Sequence, residues 1–241
     1  LALKLLLIAA HPDDECFAFG GALLLAHEAG VETHVICLTD GQAATHRGES
    51  ASNEDLGRIR RQEFHASCQV LGVTRAELLD YQDAQLEFAD FNALTRRLTA
   101  ILRDLKPDVV LTFNADGGPN THPDHTMVAL ATTAAFHWAA SAKRFPELGA
   151  IHKASRLFVL STTMFLPDRP APLPIPWTVT LDVRQVLDRK LEAFRRHTSQ
   201  APLFERTKAL FEQFGATEVY TLVATHTPQP ATHTDSLFEG L

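Results

Sequence analysis

Cysteine is scarce in this 241-residue chain: Cys16, Cys37 and Cys68 are an odd number, set far apart in apolar surroundings. That excludes a disulfide framework and a cysteine-based zinc site, and fits small core residues in a reducing compartment. Runs of lysine and arginine are missing too. With 22 basic against 29 acidic residues the formal net charge is -7, which argues against a nucleic-acid surface and favours a small molecule over a polyanion. No apolar run is long enough for a membrane span. Leu1 to Ala10 is too short, lacks a small-residue cleavage pattern and runs directly into Asp13, Asp14 and Glu15, so a cytoplasmic protein without membrane insertion is expected. No repeat of solenoid period and no dividing linker are visible, so a single domain over 1–241 is expected, with a loose polar tail from about 225.

What is present is a rhythm. At 45% hydrophobic residues the chain can build a substantial core, and its apolar segments alternate in type. Leu5 to Ala10 is an unbroken apolar run, as in a strand buried on both faces. A helix is predicted over Phe17 to Ala29 before Gly30, and a strand over Val31 to Leu38. The stretch 42–52 is polar loop, and Asn53 or Asp55 can cap a helix running to Leu71. A short strand over Leu78 to Tyr81, a helix from Asp90 to Leu105 and a buried strand over Val109 to Phe113 continue the alternation. Beyond a turn-rich loop, an apolar helix is predicted over Met127 to Trp138 and strands over Arg156 to Ser161 and Trp177 to Val183. The prolines between Leu166 and Pro176 forbid a helix there. Helices over Val186 to Arg196 and Leu203 to Phe214 precede a strand over Glu218 to Ala224. This order predicts an α/β fold: a Rossmann-like, doubly wound, mostly parallel sheet with helices on both faces and right-handed crossovers.

Two short motifs stand out against that frame. The first strand ends in His11-Pro12-Asp13-Asp14-Glu15, and the fourth is followed by His122-Pro123-Asp124-His125. In a doubly wound sheet the first strand lies beside the fourth, and ligands bind outside their carboxyl ends. The two motifs are therefore expected to share one crevice. Two imidazoles and one carboxylate would leave a fourth zinc position open for water, the pattern of a catalytic site. The expected ligands are His11, Asp14 and His125. Asp13 is the expected base, His122 the acid or electrostatic stabiliser, and Asp124 an orienter of an imidazole. Glu15 is read as a helix-start carboxylate or one standing behind the ligands.

Taken together, Ala10-His11-Pro12-Asp13-Asp14-Glu15 and His122-Pro123-Asp124-His125 resemble the LmbE-like, or PIG-L, superfamily of zinc-dependent de-N-acetylases, which act on substrates bearing N-acetylglucosamine. The resemblance implies Zn2+ on the first His, second Asp and last His, with Fe2+ as an alternative native metal, and the first Asp as general base. Arg60-Arg61-Gln62-Glu63 before Leu71-Gly72 is similar to the family's Arg-x-x-Glu helix, which implies Arg60 near the substrate. Asp83 is similar to an Asp of the sugar pocket, and Lys190, Ala193, His197, Ser199 and Gln200 match a late pattern, which implies a substrate-side role for His197. Asn120 departs from members that carry Tyr there, and the loop 42–52 is less glycine-rich than is common. A small-molecule amino-sugar substrate is implied. Family members are often oligomers, so a homo-oligomer is compatible with the chain, although no stretch marks an interface.

Plainer alternatives exist for several of these residues. Arg60 can pair with Glu63 across one helical turn, Asp83 can be a turn residue, and Trp138 suits a core. The other histidines, from His27 to His233, lack ligand spacing. Rival functions are an amidase acting on thiol conjugates of an amino-sugar and a non-catalytic Rossmann-like binding module. The latter lacks its G-x-G-x-x-G after the first strand, where Ala9-Ala10-His11-Pro12-Asp13 stands.

Overall fold

Among the described residues, seven strands form one sheet: β1 (Lys4–Ala9), β2 (Glu32–Thr39), β3 (Arg75–Tyr81), β4 (Val109–Thr112), β5 (Arg156–Ser161), β6 (Val179–Asp182) and β7 (Thr217–Thr225). Their spatial order is β3-β2-β1-β4-β5-β7-β6. The first five run parallel, whereas β7 is antiparallel to both β5 and β6. The structure, a computed structural model, describes residues 2–162, 175–227 and 232–241, so most of the proline-rich stretch lies outside the described residues.

The unbroken apolar run of β1 has a direct cause. Leu5, Leu7 and Ala9 enter the core on one face of the sheet, and Leu6, Ile8 and Ala10 enter the core on the other. Each large side chain so buried contributes roughly 1.5–3 kcal/mol relative to exposure. The first core is closed by α2 (Gly20–Glu28), α3 (Asn53–Val70), α6 (Leu187–Arg195) and α7 (Ala201–Phe214), and the second chiefly by α4 (Phe91–Leu105) and α5 (Pro123–Ala139). Helices thus cover both faces, as the alternation predicts. No helix among the described residues is long and apolar enough to cross a membrane.

Several boundaries differ from the sequence reading. The helix expected over Phe17 to Ala29 is two: α1 (Asp14–Phe17) and then α2, with the chain turning at Phe19. The break frees the Gly21 and Ala22 N–H groups to donate to the Glu218 carboxylate, at 2.7 and 2.8 Å. Helix α3 is capped by Ser52, whose Oγ accepts from the Asp55 N–H, and neither Asn53 nor Asp55 is the cap. Helix α5 begins at Pro123, four residues ahead of the expected Met127, which puts His125 in its first turn.

Residues 232–241 correct the expectation of a loose tail. Thr234 bridges to Val179, Leu237 is buried, and the Arg156 guanidinium donates to the Leu237 and Glu239 carbonyls. A polar composition concealed these anchors because most of them are made by the backbone.

Candidate metal centre

β1 and β4 are hydrogen-bonded neighbours, so the two histidine motifs leave the sheet side by side. The end of β1 is fixed from both flanks: the Thr39 hydroxyl donates to the Ala10 carbonyl and the Thr112 hydroxyl to the Ile8 carbonyl. The Asp14 carboxylate folds back on the strand end, where its Oδ2 accepts from the Ala10 and His11 N–H groups at 3.1 and 2.8 Å. On the other side, His122 caps α5, its Nδ1 accepting from the Asp124 N–H.

The result is a buried cluster of His11, Asp14 and His125, whose ligand atoms all lie within 4.8 Å of one another. His125 Nε2 is 3.2 Å from His11 Nδ1 and 3.2 Å from Asp14 Oδ1, and His11 Nδ1 is 3.6 Å from Asp14 Oδ2. Metal–ligand bonds of about 2.0–2.1 Å in a tetrahedron require ligand separations of about 3.3–3.4 Å, which matches this spacing. The outer nitrogens settle the tautomers. His125 Nδ1 faces the Gly117 carbonyl at 3.0 Å, and His11 Nε2 faces Asp124 Oδ2 at 3.2 Å and Asp83 Oδ1 at 3.0 Å. Those partners only accept, so each ring carries its proton outside and turns a lone pair inward. Two inward lone pairs beside a carboxylate repel one another unless a cation stands among them.

The electrostatics agree. Burial alone would lower the His11 pKa, but Asp124, Asp14 and Asp83 outweigh it and raise it well above the ordinary imidazole value. For Asp14 burial pushes upward, yet His125 and His11 bring it well below the carboxylate range. Positive charge is favoured here, as a proton or as a metal ion.

Among the described residues, two other groupings of potential ligands do not fit an ion. In the first, His11, His122 and Asp124, the Asp124 oxygens already accept from His11 Nε2 and from the Ala84 and Leu86 N–H groups, and His122 Nδ1 is used by its cap. In the second, Glu15, Cys16 and His197, burial pushes the Cys16 thiol well above its usual value, and it donates to the Asp13 carbonyl. Asp124 instead meets the outer nitrogen of the His11 ring.

Asp13 sits at φ 107°, in the left-handed region that costs a non-glycine residue on the order of 1–3 kcal/mol. It is over-determined there. Its N–H donates to Glu15 Oε2 at 2.8 Å, its carbonyl accepts from the Phe17 N–H, and its Oδ2 accepts from Arg60 Nη2 at 2.8 Å. Burial raises its carboxyl to about 6, with Asp14 and Glu15 adding to the rise and Arg60 and His197 opposing it. Arg60 is itself buried and also donates to the Pro12 and Gly41 carbonyls. Gly41, at φ +67°, admits this contact, since a Cβ there would lie 1.9 Å from Arg60 Nη1. The alternative pair of Arg60 with Glu63 is not what forms. Glu63 instead accepts from the Thr198 hydroxyl and from the Ser199 N–H and hydroxyl, each at 2.7 Å.

His197 needs correction. It is 1% exposed and sits behind the site, its Nε2 2.7 Å from Glu15 Oε1, so it has no face toward a substrate. The late motif does reach the site, but through Glu15, whose Oε1 also accepts from the Ser67 hydroxyl. Glu15 thus stands behind Asp13, the expected base, and lies in the first turn of α1. Gln200, Leu203 and Arg206, farther along the same segment, face a cleft of about 460 Å³. His11, Asp13, Asp14, Arg60, Asp83 and His122 also line this cleft. Asp83 has a double place: it faces the cleft and also holds His11 Nε2, and that imidazole outweighs the upward push of burial to bring its carboxyl to about 2. Sequence reasoning missed Gly41, Gly117 and Ser67. No signal marks them, because each matters through a contact made far along the chain.

Comparisons with known proteins converge on one family. The family model described as GlcNAc-PI de-N-acetylase, PIG-L, matches residues 6–136. The chain is 31% identical to a 1D-myo-inositol 2-acetamido-2-deoxy-alpha-D-glucopyranoside deacetylase of Rhodococcus jostii, over 82% of this chain and 81% of the relative. It is 30% identical to a probable N-acetyl-alpha-D-glucosaminyl L-malate deacetylase 2 of Bacillus cereus, over 81% and 82%. Among solved structures, N,N'-diacetylchitobiose deacetylase from Pyrococcus horikoshii superposes with a TM-score of 0.74 at 26% identity, covering 92% of this chain and 84% of that one. With both histidine motifs meeting at one point of this sheet, and with these relatives matched over most of their length, the chain belongs to the PIG-L, GlcNAc-PI de-N-acetylase, family.

Proposed function

We propose that the protein is a zinc-dependent hydrolase that removes an N-acetyl group from a small molecule containing N-acetylglucosamine. The observation that carries this reading is the pair of inward-facing imidazole nitrogens, His11 Nδ1 and His125 Nε2, 3.2 Å apart beside the Asp14 carboxylate. Three protein ligands leave a coordination position open, as catalytic zinc sites do, and iron(II) is the alternative native metal for such a nitrogen and oxygen set. When bound there, the ion would lower the pKa of a water to about 7 and polarise an amide carbonyl.

The chain's own groups supply the remaining chemistry. Asp13, its carboxyl raised to about 6, is largely ionised at neutral pH and accepts a proton from the attacking water. The same carboxyl, then protonated, returns that proton to the nitrogen as the C–N bond breaks, releasing the free amine and acetate. Arg60 holds Asp13 in position for both transfers. His122 is brought down to about 4, first by burial and then by the neighbouring imidazoles of His11 and His125. With its Nδ1 accepting from the Asp124 N–H, the proton of the neutral ring lies on Nε2. Of its two expected roles, this favours the stabiliser: a hydrogen-bond donor to the charge that develops on the carbonyl oxygen. Asp124 and Asp83 keep His11 turned toward the metal position.

The relatives named above are deacetylases of N-acetylated amino sugars by their names, which supports the same substrate class here. The free and buried Cys16, Cys37 and Cys68 suit a reducing, cytoplasmic setting. The test is amine release from N-acetylglucosamine and N,N'-diacetylchitobiose by zinc-loaded protein. Turnover is expected, and Asp13→Asn should lower it by about 10²–10⁴-fold with zinc retained. Zinc-loaded protein that releases amine from neither would contradict the reading, as would near wild-type turnover in the variant for the base assignment.

A further inference from the structure

Asp13 stands immediately before α1, at its N-cap, and departs twice from what an aspartate does there. Such a residue is ordinarily extended, with its carboxylate accepting from N–H groups of the first turn. Asp13 is instead left-handed, at φ 107°, and its side chain makes no capping bond. The carboxylate is thereby released to the cleft, where its Oδ2 meets Arg60 Nη2. We propose that Glu15 enforces this arrangement: it is a positioning residue that grips the Asp13 N–H, keeps the proposed base from capping its own helix, and so sustains turnover without touching substrate. This rests on the hydrolase reading above.

The grip is one half of a capping box. In that motif a first-turn carboxylate reaches back to the N-cap N–H while the N-cap side chain reaches forward. Here only the backward bond is made, from the Asp13 N–H to Glu15 Oε2 at 2.8 Å. Glu15 is 0% exposed, so no substrate reaches it. Its other oxygen is fixed by the Ser67 hydroxyl at 2.6 Å and by His197 Nε2 at 2.7 Å.

Both ends of Asp13 are set from one side of α3. Arg60, Glu63 and Ser67 follow one another at helical spacing along a buried stripe of that helix. Arg60 holds the Asp13 carboxylate, and Ser67 holds Glu15. Between them Glu63 accepts from Thr198 and Ser199, which fixes the turn that follows His197. The side chain of the base is thus placed directly and its peptide N–H through Glu15. A left-handed aspartate persists only where its surroundings over-determine it. Without the Glu15 carboxylate, Asp13 can return to the extended N-cap conformation and turn its carboxylate to the N–H groups of residues 15 and 16, away from the reacting carbon.

The test uses the full chain, zinc-loaded, with N,N'-diacetylchitobiose, and makes Glu15→Ala and Glu15→Gln both in wild type and in Asp13→Asn. Misplacing a catalytic group by about 1 Å can cost on the order of 10²-fold, so Glu15→Ala is expected to lower kcat by about that factor, with KM and zinc content held. Glu15→Gln should recover most of the loss. Its amide oxygen still accepts from the Asp13 N–H, while Ser67 and His197 can turn to accept from its amide nitrogen. In Asp13→Asn, where no base remains to be placed, Glu15→Ala should add little. Near wild-type kcat in Glu15→Ala, or the same fold-loss in both backgrounds, would overturn the proposal. So would zinc lost in step with activity, the mark of a merely structural residue. If wild type itself releases no amine, the hydrolase reading falls, and crystal structures of wild type and Glu15→Ala then decide the grip alone. Asp13 is expected to pass from positive to negative φ in the variant, and a positive φ retained would overturn it. Should Glu15→Ala fail to fold, Ser67→Ala loosens the same grip more gently: a lowered kcat with zinc retained supports the proposal, and an unchanged kcat overturns it.

Discussion

Two of the buried clusters of charge in this fold differ in what they leave unsatisfied. At the start of α2 the Glu218 carboxylate accepts four hydrogen bonds: from the Gly21 and Ala22 N–H groups, from Lys190 Nζ at 2.5 Å and from the Tyr220 hydroxyl at 2.7 Å. Its lone pairs are used and its charge is matched, as a structural ion pair requires. The cluster of His11, Asp14 and His125 has acceptors for both imidazoles on its outside, while on its inside two ring nitrogens and a carboxylate oxygen converge on one point with only each other or a cation to meet. Burial and charge alone do not distinguish a structural cluster from a reactive one. The unfilled donors converging on one point do.

That contrast can be broken at either cluster. The largest effect on activity is expected from His125→Ala, which removes one of the converging nitrogens: amine release should drop by roughly three orders of magnitude, while the melting temperature of metal-free protein falls only modestly, through the lost contacts with Phe113 and Asp14. A melting temperature that falls sharply would mean that His125 is structural. The largest effect on stability is expected from Glu218→Ala, which strands Lys190 in the core. A loss of about 3–5 kcal/mol is expected in denaturant unfolding, with metal content unchanged in the protein that remains folded. Little change in stability would show that the two clusters are not opposites after all.

A smaller effect sharpens the comparison at a third place, the pair of Glu15 and His197. Burial pulls the His197 pKa down, but Glu15 and then Asp13 outweigh it, so the folded value lies above the ordinary one. A group raised on folding contributes its stability fully below the unfolded pKa of about 6.5 and loses it as pH rises through the folded value. The melting-temperature advantage of wild type over His197→Gln should therefore be greatest near pH 6 and shrink toward alkaline pH. An advantage that is flat or grows with pH would contradict the ion pair. Since Glu15 holds the Asp13 N–H, the same variant should lower kcat more than it raises KM, which a purely structural role would not do.

Much of this was legible in the sequence. The apolar run from Leu5 to Ala10 predicts burial on both faces, and the strand count predicts that β1 and β4 adjoin, which is what unites His11 with His125. Periodicity carries that information because burial on one face or two is written into the spacing of apolar residues. What escaped was set by tertiary contact. Nothing local at Phe19 announces that the helix breaks so that Glu218, almost two hundred residues later, can cap α2. His197 matches a motif, but a motif does not say on which side of Asp13 the ring will lie, and it lies behind. Gly117 is one turn residue among several until its carbonyl is seen to fix the His125 tautomer. At φ +84°, with a Cβ destined to lie 2.7 Å from the Thr121 backbone, it tolerates no side chain.

The central claim is that His11, Asp14 and His125 hold a divalent metal ion. It is tested most directly by metal analysis of wild-type protein and His125→Ala, purified side by side without added metal and then titrated with zinc. Wild type is expected to retain or take up about one equivalent of zinc or iron per chain, and the variant far less under the same dialysis. Equal metal content in the two proteins, or wild type that binds no zinc on titration, would contradict it.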